Sequence, residues 1–142
     1  MTLLDAGTPG LDLVTYLHGR EMVILIDAVS ASGPPGELRL YRNGDLDKME
    51  PQPRVSPHDP VVREALWIAE LAGDGPRVLL VGVIPESTEI GARLSAPVHA
   101  AASVAGAVVI EELGRLGAAP QPRPQPSAPD PWWMRGAPPR AV

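Results

Sequence analysis

The chain contains no cysteine, so a disulfide framework and a thiolate metal site are both excluded, and nothing about the redox compartment follows from it. It holds a single lysine, Lys48, and a formal net charge of -5. An acidic body of this kind offers no electrostatic footprint for nucleic acid or an anionic membrane. The sequence contains no uninterrupted apolar run of the roughly 18 to 20 residues that span a bilayer, and Met1 is not followed by the basic and apolar regions of a signal peptide. These features predict a cytoplasmic chain. There is no GxSxG elbow, and Gly7-Thr8-Pro9-Gly10 lacks the spacing of either phosphate-binding fingerprint. Serine hydrolases of that type and nucleotide enzymes are thereby set aside.

What is present is a hydrophobic content of 44% in 142 residues, enough for the core of one domain. From Ala118 onward the composition changes to AAPQPRPQPSAPDPWWMRGAPPRAV, with no apolar periodicity. We read residues 1–117 as the folded domain and 118–142 as an extended, mostly disordered proline-rich tail, in which Trp132-Trp133-Met134 is the one cluster suited to docking, with an appendage that has no partner as the preferred alternative.

Within the domain, Leu3-Leu4 predicts a short strand, and Thr8-Pro9 a helix start. Leu11, Val14 and Leu17 follow at helical spacing up to Gly19. The run MVILI, residues 22–26, has the pattern of a strand covered on both faces. GPPG, residues 33–36, is too short for a crossover, so ELRLYR returns antiparallel as an edge strand. A polar loop is expected over 43–57. VVREALWIAELAG then gives an amphipathic helix with Val62, Leu66, Ala69 and Ala72 on one face, closing on Gly73. RVLLVGVI, residues 77–84, is a second buried strand, and Ser95 to Gly117 a long apolar helix. The order β-α-β-β-α-β-α predicts a three-layer α/β/α sandwich with a mostly parallel sheet and one antiparallel edge strand.

Ligands of such sheets collect beyond the carboxyl ends of the strands. Asp5, Asp27 and Glu86 fall there, and His58 of VSPHDP lies at or before the first turn of a helix, where the dipole favours the neutral, metal-binding imidazole. From the residues alone, Asp27 reads equally well as a turn residue or a ligand, Asp5 as a turn-former ahead of Gly7, and His58 as a loop residue beside the cap Asp59. His18 and His99 read as structural. No HExxH-type spacing joins these groups into a metal motif.

Taken together, LLDAGTPGLDLVTYL, MVILIDAVSASGPPGELRLY, SPHDPVVREAL and VLLVGVIPESTEIGARLSAPV, in this order, resemble the hydrogenase maturation proteases over residues 2–112. The resemblance implies a nickel-dependent endopeptidase that trims the C-terminal extension from the large-subunit precursor of nickel-iron hydrogenase. In that scheme nickel is recognised in the precursor, Asp27 and His58 are ligands and catalytic residues, and Asp5 and Glu86 support the site. A soluble monomer with the precursor as partner is expected. The family's N-terminal strand, its GxGN segment and the acidic motif that supplies another carboxylate have no counterpart in residues 1–4, which implies an N-terminally incomplete sheet and a start lying upstream. A truncated, non-catalytic module that binds the precursor or a maturation partner is the alternative reading. Pro57, before the histidine, is a smaller departure from the family pattern.

Overall fold

The structure, a computed structural model, describes residues 1–7, 9–46, 62–89 and 93–125. A 3-10 turn over Gly10–Asp12 runs directly into helix α1, Leu13–Leu17. Strand β1, Met22–Ala28, and strand β2, Leu38–Arg42, follow, then a short helix α2, Asn43–Leu46. Helix α3, Val62–Leu71, leads to strand β3, Arg77–Val83, and helix α4, Ala96–Arg115, closes the order. The sheet runs β1-β3-β2, with β1 parallel and β2 antiparallel to the central β3.

Alternation along β3 builds the two faces of the core. Val78 and Leu80 point to one face, where they pack with Leu13, Leu17, Leu46, Ala65, Leu66 and Ala69 of α1, α2 and α3. Leu79 and Val81 point to the other, where α4 lies with Ala105, Val108 and Val109. Helices on both sides of a mixed sheet make the expected three-layer α/β/α arrangement, with β2 as the antiparallel edge strand.

Glycine ends both long helices in the same way. At α3, Gly73 takes φ 78° and Asp74 N–H donates to Ala69 O at 3.1 Å; at α4, Gly117 takes φ 79° and Ala118 N–H donates to Leu113 O at 2.9 Å. Both closures satisfy carbonyls that the last helical turn would leave open.

Four expectations need correction. Leu3 and Leu4 are not a strand but exposed coil, because two apolar residues without a ladder partner cannot hold extended pairing. MVILI is covered on both faces only in part, Val23 and Leu25 packing against one cluster and Met22 and Ile24 against the other. The strand order puts β3 in the centre, buried from Val78 through Gly82, and leaves β1 half-buried with Ile26 58% exposed. The first helical stripe is carried by Leu13 and Leu17, whereas Leu11 is exposed. Finally, the loop expected from residue 43 begins with α2, whose Leu46 enters the core.

Helix α4 is long and apolar enough to cross a membrane by length and composition, with mean hydropathy 1.3, although the sequence has no uninterrupted apolar run of that length. In this fold, its Ala105, Val108 and Val109 pack on the sheet. The proline-rich segment continues from it as coil as far as residue 125, and Trp132-Trp133-Met134 lies outside the described residues.

Candidate active site

Parallel pairing of β1 and β3 brings their carboxyl ends to one rim of the sheet. In the register Asp27 stands opposite Gly82, and Ala28 opposite Val83. The chain stays attached one residue further, where Val29 N–H donates to Val83 O at 3.0 Å. A side chain on Gly82 would sit 2.6 Å from both Val29 methyls, so the glycine leaves the hollow that Val29, 2% exposed, fills. The packing below Asp27 thus depends on an absent side chain.

The Asp27 carboxylate accepts the N–H of Ala28 at 2.7 Å. By surface area the residue is exposed at the end of β1, yet the atoms around its carboxyl take away part of its hydration. This desolvation pushes its pKa above the ordinary aspartate value, and the Ala28 hydrogen bond opposes that shift without cancelling it. A carboxylate that is costly to keep charged is a carboxylate suited to receiving a cation or a proton.

The loop leaving Asp27 is folded back onto the rim. Glu37 N–H donates to Pro34 O at 3.1 Å across the Gly33-Pro34-Pro35-Gly36 turn, Gly36 N–H donates to Ile84 O at 2.8 Å, and Ile84 N–H donates to Glu37 O at 3.0 Å. Gly36, at φ 85°, lies so close to α4 that a Cβ would meet the Pro97 carbonyl at 2.5 Å. This turn therefore ties the end of β3, the start of β2 and the first turn of α4 together.

Of the residues singled out from the sequence, Asp27 and Glu86 leave the same rim of adjacent parallel strands. Glu86, four residues beyond Gly82, is exposed. Asp5 does not follow a strand; its carboxylate accepts Gly7 N–H at 3.1 Å in the turn ahead of α1. His58, with Asp59 and Ser56, lies outside the described residues. Among the described residues no group of three or more histidine, aspartate or glutamate side chains converges as a metal site. His18 instead pairs through Nδ1 with Asp74 at 2.5 Å, and Asp74 also accepts Gly19 N–H at 2.8 Å, which joins the end of α1 to the α3–β3 connection.

Sequence reasoning passed over Gly82 and Arg39. A glycine inside the apolar run RVLLVGVI is itself a signal of close approach. Arg39, read only as part of the edge strand ELRLYR, stands opposite Gly82 from the β2 side, so Asp27, Gly82 and Arg39 form one row across the sheet. A cleft of roughly 310 Å³ between α2 and α3, lined by Leu46, Arg63, Leu66, Trp67 and Glu70 among others, is separate from this rim and includes none of the candidate residues.

Such a rim, with a carboxylate at the end of a parallel strand and a glycine-proline turn beside it, belongs to an α/β fold with a mixed sheet flanked by helices. Matching of the family model described as hydrogenase maturation protease over residues 1–112 shows that the chain belongs to this family. It is 34% identical over 117 residues to the hydrogenase expression/formation protein HoxM of Azotobacter vinelandii, covering 81% of this chain and 56% of that protein. Against the hydrogenase 2 maturation protease of Escherichia coli it is 32% identical over 123 residues, covering 85% and 74% of the two chains. The solved structure of the hydrogenase maturating endopeptidase HybD from Escherichia coli superposes with a TM-score of 0.69 at 32% identity, covering 80% of this chain and 71% of that one. The chain spans a little over half the length of the first curated relatives it matches, at 56% and 59%.

Proposed function

We propose that this chain acts as an endopeptidase that removes the C-terminal extension of the nickel-loaded large-subunit precursor of nickel-iron hydrogenase. The observation that carries the reading is Asp27, whose carboxyl, its pKa raised by desolvation, stands at the rim of β1 in a chain that belongs to a protease family. Nickel enters as part of the substrate. Asp27 and His58 are its ligands on this chain, since imidazole and carboxylate together suit that metal, and Asp5 and Glu86 support the site. The precursor is the partner, and the chain works as a cytoplasmic monomer.

The topology supports a role for His58 beside Asp27. Helix α3 is joined to the start of β3 by residues 72–76. Val62 packs against the same apolar cluster as Val29. His58 precedes Val62 by four residues, a chain length of at most about 14 Å.

Incubation of the full chain with nickel-loaded precursor tests the reading. Asp27→Asn and His58→Gln are each expected to slow removal of the extension by about a hundredfold. Undiminished processing by both variants would discard the assignment. Precursor binding without any cleavage by the unaltered chain would favour the truncated, non-catalytic module.

A further inference from the structure

The row Asp27, Gly82, Arg39 raises the question of what the arginine does at the rim. Its guanidinium is turned toward the loop that leaves Asp27. Nη2 donates to Ser32 O at 2.7 Å, Nη1 donates to Leu38 O at 3.3 Å, and Nη1 also pairs with the Glu37 carboxylate. One planar fork therefore joins the middle of the loop to the base of the edge strand.

Further anchors lie at the two ends of the loop. Val29 anchors the start in the Gly82 hollow, and Gly36 anchors the finish against Ile84 and Pro97. Between them, Gly33 passes beneath the fork at φ 147°, where a Cβ would lie 2.5 Å from Glu37, 2.9 Å from Arg39 and 2.9 Å from Ile84. Chain and fork are packed against one another. Removing the guanidinium takes away the polar tie at Ser32 and opens the space around Gly33.

We propose that Arg39 is a positioning residue of this protease site, holding loop 30–33 as a fixed wall beside Asp27 against which the precursor docks. The proposal rests on the reading of Asp27 as the site carboxylate. Arg39 does not touch the reacting atoms. It sets the shape that a macromolecular substrate meets, so its effect falls on substrate binding rather than on the bond-breaking step.

Kinetics of precursor cleavage by the full chain, with Asp27→Asn as a parallel control, test it. Arg39→Gln is expected to raise KM about tenfold, the worth of one charge-assisted hydrogen bond, with kcat within about twofold of the parent. Arg39→Lys, which keeps the charge but loses the fork, is expected to fall between the two. Amide exchange supplies a readout independent of activity: Glu37, whose N–H donates to Pro34 O across the turn, loses protection in Arg39→Gln, whereas Val29, whose N–H donates to Val83 O, keeps it. An unchanged KM in Arg39→Gln, beside a strong loss in Asp27→Asn, overturns the role of Arg39 and leaves the site reading intact. Lowered kcat and thermal stability with unchanged KM make Arg39 merely structural and also overturn it. Full activity in Asp27→Asn removes the underlying site reading itself.

Discussion

Arg42, the last residue of β2, grips Glu112 of α4 with both arms of its guanidinium, at 2.8 and 2.9 Å. Glu112 is 7% exposed, and Arg115 adds a third hydrogen bond at 3.3 Å from the next turn of the helix. This is the polar fastening between the edge strand and the helix that covers the sheet. Because hydrogen bonds from Arg42 hold the Glu112 carboxylate below the usual glutamate range, the pair contributes stability at pH values above that range. The contribution disappears as pH falls from about 4.5 through the lower folded-state value. Glu112→Gln is expected to lower stability at pH 7 by about 1 kcal/mol, since half of the Arg42 side chain is solvated. It should also flatten the acid limb of a stability-against-pH curve. A double-mutant cycle with Arg42→Gln checks the coupling, and additivity of the two losses would show that the pair is not coupled.

Gly82 makes a second prediction. A methyl group there meets both Val29 methyls at 2.6 Å, and Val29 is itself buried at 2% exposure. Gly82→Ala is therefore expected to cost about 1–3 kcal/mol, read as a lower urea midpoint with an unchanged slope. Adding Val29→Ala should restore part of the loss, because the two positions share one hollow. Loss without recovery in the double variant would show that Gly82 is needed for its backbone rather than for its missing side chain.

Both residues illustrate what could and could not be read from the sequence. The cores of α3 and β3 and the extent of α4 follow from apolar period and from the punctuation at Gly73, Ser95 and Gly117, which are local signals. Asp27 at the end of a strand was legible for the same reason. The exposure of Ile26 was not, because an apolar run records how hydrophobic a strand is and not which neighbour it receives. Arg39 and Gly82 escaped because their meaning lies in cross-strand register, which joins residues more than forty positions apart. Leu3-Leu4 shows the converse error, in which local preference was read as a strand without a partner to pair with.

Asn43 was placed in a polar loop by its composition, yet it closes the start of β3. Its amide nitrogen donates to Pro76 O at 3.0 Å and its amide oxygen accepts Val78 N–H at 2.6 Å. One side chain thus replaces a ladder pairing that β2, turning into α2, no longer supplies. Asn43→Ala leaves both backbone groups without this partner and is expected to destabilise the fold by about 1–3 kcal/mol. Asn43→Asp keeps the acceptor but loses the donor to Pro76, so it should retain part of the stability. Hydrogen exchange at Val78 discriminates the two, with protection lost in the alanine variant and kept in the aspartate one.

Asp27 brings stability and function into opposition. Its folded-state pKa lies above the ordinary value of 3.8, so the stability linked to this group is fully present below that pH and is lost as pH rises through the raised folded value. At neutral pH the fold therefore carries a carboxylate that it would hold more easily as the neutral acid. Asp27→Asn keeps the shape and removes the charge. It is expected to raise the thermal midpoint at pH 7 and to leave it nearly unchanged at pH 3, where the parent carboxyl is already protonated. The same substitution is expected to abolish most of the cleavage of the nickel-loaded precursor, because the charged form is the one that can serve as a ligand. Melting curves of parent and variant at the two pH values check the first part. A lower midpoint in the asparagine variant at pH 7 would mean that the fold stabilises the charged carboxylate, contrary to the direction in which desolvation shifts it.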